Sequence, residues 1–312
     1  MSVGWAAGVT RAKSMAVRRV GAATAGELAA ADGMGEALRG LRGTWYVRGT
    51  GADPALVEAQ RAVGAGLLWQ LRVLAGWQPR AGAQAIRLLA AGFEIANTED
   101  RLRVMAGTDG TGGAPLPPYR LGSLAVVWPR LSGAATPGDL RAVLASSPWG
   151  DPGAESPAAV AVGMRVSALA RVAGGVPAAA RWAAGRLALL VARQLFVAGV
   201  LLPPGAVGRA ERVLGRAPVT AGSLDGFRRS LPARARWALD GVSTVDELWR
   251  AEARWWETLD SEGAALLRSP RLGVEPVVGA VAVLSADAWR VRGALSLAAR
   301  GRRNPEDPGD PG

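Results

Sequence analysis

The sequence predicts an all-α protein, and three observations carry that prediction. Ala, Leu, Arg and Glu recur at three- and four-residue spacing, while period-two alternation of Val, Ile and aromatic residues is absent. Helix-start signals precede several of the periodic stretches, such as Asp53-Pro54 and Thr244-Val245-Asp246-Glu247. The phrase Thr-x-Gly-x-Leu is written three times, at Thr24–Leu28, Thr136–Leu140 and Thr220–Leu224. Each threonine sits where a helix N-cap is expected, and the residue three places on (Glu27, Asp139, Ser223) can return a hydrogen bond. A repeated helix start predicts a repeated structural unit, and repeated units build scaffolds.

The elements follow in chain order. Over 53–77 the apolar positions Ala55, Leu56, Ala59, Val63, Leu67, Leu71 and Leu74 form one stripe, with Asp53 predicted as N-cap and Pro54 as first residue. Gly76-Trp77-Gln78-Pro79 ends that helix. Residues 82–105 read as a second long helix, apolar over much of its circumference and therefore buried. Linkers rich in Gly, Pro and Thr are expected at 108–118 and 151–157. Residues 158–199 read as two helices broken at Gly174-Gly175-Val176-Pro177, and Pro203-Pro204-Gly205 punctuates the chain. The capping box at Thr244 opens a helix carrying Leu248, Ala251, Trp255 and Leu259, and a last helix is expected over about 277–299. Residues 301–312 hold no apolar residue and are expected to be disordered.

Composition narrows the chemistry. At 312 residues and 49% apolar content the chain can bury a sizeable core. It has no cysteine and no histidine, which removes disulfides, the usual zinc ligand sets and every Ser-His or Cys-His dyad. Carboxylates, arginines, hydroxyls and Lys13 are what remain, so no catalytic residue and no metal or cofactor ligand is assigned. The net charge of +11 is almost all arginine and is scattered along the chain, as a coding preference for Arg would leave it; an anionic partner is the sharper alternative. Charges interrupt the first 19 residues, so no signal peptide is expected. The best apolar run, 187–202, is short for a bilayer and carries Arg193 and Gln194, so no membrane span is expected either.

One polar constellation stands out. Glu94, Asn97 and Arg101 fall on one face of a helix otherwise directed at the core, within Phe93-Glu94-Ile95-Ala96-Asn97-Thr98-Glu99-Asp100-Arg101. A metal- or diphosphate-binding cluster of the helical prenyl-transferring kind would need a second acidic motif. It would also need a hydroxyl four residues after the amide, where Arg101 stands. The favoured reading is an internal polar network that fixes helices in register. The last helix carries a weaker echo in Asp287 and Arg290, so the expected network comprises Glu94, Asn97, Arg101, Asp287 and Arg290. Trp255-Trp256 and Trp249 are expected in a core rather than in a binding patch. No fixed period of Arg and aromatics supports RNA binding, and no nucleic-acid partner is expected.

In their order, these motifs resemble the C/d subunit family of A-type and V-type rotary ATPases. The resemblance runs through an Arg-rich opening helix at 11–20, then Leu41-Arg42-Gly43-Thr44-Trp45-Tyr46 and the acid-led helix 53–77 ending in Trp. It continues in Phe93-Glu94-Ile95-x-Asn97 followed by Leu102-Arg103, in the stretch 136–149, and in Leu272-Gly273-x-Glu275-Pro276. The chain departs from the family pattern at Ala96, Glu99 and Arg290, and around 181–199 it lacks the acid-and-amide signature. The resemblance implies pseudo-threefold helical repeats arranged as a funnel: 1–112, 113–204 and 205–301, with 302–312 as a tail. It also implies a non-catalytic rotor subunit without cofactor, cytoplasmic and peripheral on the inner face of the cell membrane. Its partners would be the central-stalk rotor subunits and the membrane proteolipid ring. A free-standing helical scaffold derived from the same family is the alternative.

Overall fold

The computed structural model describes residues 3–47, 51, 53–107 and 116–301. The expected disordered tail at 302–312 and most of the linker at 108–118 lie outside the described residues. Within them the chain is helical and contains no strand. The first part holds α1 (Val3–Val17), α2 (Gly21–Ala29), α3 (Met34–Gly40) and a 3-10 turn at Trp45–Val47, followed by α4 (Leu56–Gly76), α5 (Arg80–Leu89) and α6 (Ala91–Met105). Two short helices come next, α7 (Trp128–Leu131) and α8 (Pro137–Ala145), then the long α9 (Pro157–Gly175) and α10 (Ala180–Ala192). The short helices α11 (Pro204–Leu214), α12 (Arg216–Val219), α13 (Leu224–Ser230) and α14 (Ala233–Arg236) lead to the long pair α15 (Leu248–Arg268) and α16 (Val274–Gly301).

Several sequence expectations shift. The first long helix begins at Leu56, not Pro54, because Ala55 takes the N-cap position and the Glu58 carboxylate accepts its amide at 2.8 Å. The helix expected over 82–105 is two helices that bend at Ala90. The bend sends the apolar positions to different cores: Ile86 faces the core built on α4, while Ile95 and Leu102 face the one built on α8. Of the three Thr-x-Gly-x-Leu threonines only Thr136 caps a helix, with Asp139 Oδ2 accepting the Thr136 amide and Thr136 Oγ1 accepting the Asp139 amide. Thr24 lies inside α2, whose first amides are held by the distant Asp287 carboxylate. Thr220 closes α12 instead, and Ser223 caps the next helix. At Thr244 the acidic half of the box forms, Glu247 accepting the amides of Ser243 and Thr244.

The break at 174–177 and the last helix fall where expected. The apolar run 187–202 divides: Leu187, Leu189 and Val191 are buried in α10, while Val197, Val200 and Leu201 are exposed beyond it, Leu201 at 78%. Helix α9 is long and apolar enough by composition alone to cross a membrane, but Val160, Met164 and Val166 are buried against other helices. Among the tryptophans, Trp255 is core as expected, Trp256 is half-buried and Trp249 is exposed.

The cores do not follow chain order. One core joins α1–α5 to α16, through Leu71, Leu74 and Ile86 on one side and Leu284, Val291 and Leu295 on the other. A second joins α9–α15, with Ala85 and Leu88 of α5 and Val278 and Ala282 of α16 reaching into it, and a third joins α6–α9. Helix α16 is thus shared between two cores, which explains why it is apolar around its circumference. It crosses α15 at very close range: a Cβ on Gly279 would lie 2.5 Å from the Gly263 carbonyl oxygen.

Candidate functional site

Helix α6 turns Glu94, Asn97 and Arg101 toward the chain that follows, and each holds a different piece of it. Glu94 is 1% exposed. Its Oε2 accepts the Val126 amide at 2.6 Å, and its Oε1 accepts the Val127 amide and Trp149 Nε1 at 2.9 Å each. These amides stand just before α7, so the carboxylate supplies the acceptors that a helix start lacks. Asn97 Oδ1 accepts the Tyr119 amide at 2.7 Å while its Nδ2 donates to the Tyr119 carbonyl at 2.9 Å. Arg101 donates to the Ala134 carbonyl at 2.6 Å. The three residues tie α6 to the segment 119–149 rather than fixing one helix against another. Arg171 stands near Glu94, its guanidinium 5.4 Å from the Trp149 ring; burial lowers its pKa and the Glu94 carboxylate opposes that.

Asp287 of α16 repeats the arrangement at a second place. It is fully buried, and it accepts the Val20 amide at 3.0 Å, the Gly21 amide at 2.7 Å and the Tyr46 hydroxyl at 2.8 Å. Gly21 sits at φ 84°, a backbone state that suits glycine, and this lets two successive amides converge on one carboxylate. Burial, reinforced by the adjacent Asp287 charge, keeps the Tyr46 phenol protonated well above its usual range. Arg290 does not join this cluster; it donates to Asp260 of α15 at 2.7 Å. The five residues expected to form one network therefore form separate groups, with Glu94 and Asp287 in matching roles.

The match extends to the backbone that presents the aromatic donor. Thr44 Oγ1 donates to the Leu41 carbonyl at 2.7 Å and accepts the Tyr46 amide at 3.2 Å. Ser147 Oγ donates to the Leu144 carbonyl at 2.7 Å and accepts the Trp149 amide at 3.1 Å. Both turns therefore read Leu-x-x-Thr/Ser-x-aromatic, with a hydroxyl closing the turn and the aromatic donating to an acid on another helix. A hydroxyl also closes the turn at Phe227-x-x-Ser230, where Ser230 Oγ donates to the Phe227 carbonyl at 2.9 Å. Two residues on stands Pro232, which has no side-chain donor, and the neighbouring helix α10 has no acid. There α14 and the turn Trp237–Leu239 close onto α10 at Gly185, where a Cβ would lie 2.8 Å from the Trp237 ring.

Sequence reasoning found the two acids but not their aromatic partners. The signal was present in Leu41–Tyr46 and Leu144–Trp149, whose shared spacing becomes visible once the hydroxyl turns are seen.

No protein-family model matches the chain, and no curated protein matches it in sequence.

The long helices surround a half-open cavity of about 350 Å³. Leu88 of α5, Gly92 and Ile95 of α6, residues of α9 and α10, Trp255 and Trp256 of α15, and Val278 through Ser285 of α16 line it. These helices close a ring, since α5 touches both α9 and α16, α9 touches α10, α10 touches α15, and α15 touches α16. The lining is apolar apart from Arg165, Arg186 and Ser285. Trp256 stacks on Trp289 with centroids 5.3 Å apart, and Trp255 Nε1 donates to the Trp182 carbonyl at 3.0 Å. No group of three or more Asp or Glu suited to a metal ion occurs among the described residues. Chemically, the cavity can receive apolar surface and offers cations at its edge.

Proposed function

We propose that the protein is a non-catalytic rotor subunit of an A/V-type ATPase, which joins the central stalk to the membrane proteolipid ring and transmits torque for ion transport. The observation that carries this reading is the ring of three helix pairs, α5/α6, α9/α10 and α15/α16, around one apolar cavity. Such a cavity has the form of a socket for the end of a shaft. The two buried carboxylates and the matching hydroxyl turns support a pseudo-threefold repeat of helical units, with the middle unit altered. A torque-transmitting part must resist shear, and charge-assisted bonds from buried acids to distant backbone amides add such resistance. The exposed apolar residues Val197, Val200 and Leu201 are a surface that the ring would cover if the protein sits, as this reading has it, on the cytoplasmic face of the membrane.

The altered middle unit, whose helix α10 carries no acid, favours a second reading, a free-standing scaffold descended from the same family. One experiment separates them. A tagged copy purified from native membranes is expected to bring down stalk and proteolipid subunits in fixed ratio. Recovery of the protein alone, under conditions where the ATPase itself stays intact, refutes the rotor reading.

A further inference from the structure

The chamber between the long helices suits an apolar guest, and its edge carries one positive charge too many. Leu88, Ile95, Trp182, Trp255 and Val278 on its walls are 8% exposed or less, yet about 350 Å³ lies between the walls. Water there finds few partners. The indole N–H groups of Trp182 and Trp255 are taken by Glu262 and by the Trp182 carbonyl, so both rings show the chamber only their apolar surface. Charged or hydroxyl side chains reach it only as Arg165, Arg186 and Ser285. Waters so poorly bonded are weakly held, and an alkyl chain that displaces them gains from their release.

The edge sets the head group. Arg186 lies over Trp255, its guanidinium carbon 5.5 Å from the ring centroid. Glu252 stands 3.5 Å from Arg186 and 3.2 Å from Arg193, so one carboxylate serves two guanidinium groups. Arg186 Nη1 is buried and makes no hydrogen bond. Burial lowers the Arg186 pKa; Glu252 opposes that, and the nearby Arg193 and Arg165 charges add to it. Arg165 has its own partner in Glu99 at 2.7 Å. The surplus is thus a single charge, beside a buried donor without an acceptor, on the wall of an apolar chamber. One carboxylate on one alkyl chain answers all of this, because a guanidinium fork can take a carboxylate in two parallel bonds. A polyphosphate would bring more charge than the edge lacks, and a neutral chain would leave Nη1 unpaired.

We infer that the chamber binds a single-chain amphiphile with a carboxylate head, of the long-chain fatty acid class, its alkyl chain among Trp182, Trp255 and Leu259 and its head on Arg186. This goes beyond the rotor reading and does not rest on it. On that reading an amphiphile and a shaft end would take the same chamber in turn.

Calorimetry of the full chain with octanoate, decanoate and dodecanoate, each below its micelle concentration, tests the inference. One molecule per chain is expected, with affinity rising about fourfold for each added methylene. Dodecanoate should bind about tenfold tighter than dodecyltrimethylammonium at low salt, and Arg186→Gln should remove that preference while keeping the single site. Gly92→Leu should weaken every chain length, because Gly92 lines the chamber and a Cβ there meets nothing within 4 Å, so the added side chain takes the guest's space. A terminally brominated dodecanoate gives a readout that needs no variant. At saturation it should quench part of the tryptophan fluorescence, since Trp182, Trp255 and Trp256 line the chamber. Saturation without quenching overturns the inference, as does the absence of saturable binding. Uptake of several molecules per chain that Gly92→Leu leaves unchanged overturns it too, and so does equal affinity for the carboxylate and the ammonium. None of these results alters whether stalk subunits co-purify, so this inference and the rotor reading fail separately.

Discussion

Replacing Glu94 by glutamine tests whether the buried carboxylate is a structural clamp. The two side chains have nearly the same shape, so packing is held constant. Glu94 receives three donors, two on Oε1 and one on Oε2. Glutamine offers one oxygen and one NH2, and in either orientation the NH2 meets a buried N–H. The better orientation keeps the oxygen against Val127 and Trp149 and turns the NH2 toward the Val126 amide, 2.6 Å away in the wild type. That loses one charge-assisted bond and strands a donor, at a cost of about 1–3 kcal/mol. The two surviving bonds fall from charge-assisted to neutral, about 1 kcal/mol each. Relief of the carboxylate's own desolvation offsets part of this, leaving about 3 kcal/mol. For a chain of this size that corresponds to a fall of about 5 °C in melting temperature.

Calorimetry on wild type, Glu94→Gln, Trp149→Phe and the double variant measures the effect and its origin. The cycle should show a coupling of about 1–2 kcal/mol between Glu94 and Trp149. A Glu94→Gln melting temperature within about 1 °C of wild type refutes the clamp, and so do costs of the two single changes that simply add.

Three further outcomes follow from the same geometry. Tyr46→Phe removes the hydroxyl donor from Asp287 but keeps both amides, so it should lower stability by about 2 kcal/mol in denaturant titration, comparable with Trp149→Phe. Gly279→Ala forces α15 and α16 apart, because its Cβ would lie 2.7 Å from the Leu267 amide nitrogen as well as against Gly263. A loss of about 1–3 kcal/mol in the same titration is expected. Arg141 and the Gly153 amide hold the Asp151 carboxyl at a pKa of about 2, below its ordinary 3.8. Its contribution is therefore present above pH 3.8 and lost as pH falls through about 2, and Asp151→Asn should flatten the stability profile across that interval.

Much of the helical content was legible because it depends on local spacing. The stripe from Ala59 to Leu74, the break at Gly174–Pro177 and the box at Thr136–Asp139 all require only neighbours in sequence. The misplaced starts have a shared cause. Thr24 looked like a cap, but α2 starts earlier because Asp287, 266 residues from Gly21, supplies the acceptor. The bend at Ala90 was hidden for a similar reason, since both halves are apolar and only the arrangement of the cores tells them apart.

The acids Glu94 and Asp287 could be singled out from sequence, because a carboxylate on an apolar helix face must find donors. Which donors they find was not legible. Trp149 and Tyr46 are presented by hydroxyl turns whose partners lie on other helices, and the two arginines that line the cavity pair with Glu99 of α6 and Glu252 of α15. By itself the sequence determined the helical class, the absence of thiol and imidazole chemistry, and the two positions where a buried charge would demand partners. Only the tertiary structure decided what those charges hold, and why Pro232 and Gly185 leave α10 without such a clamp. Spacing along a helix sets which face a residue takes, whereas satisfaction of a buried charge is decided by chain segments that meet only on folding.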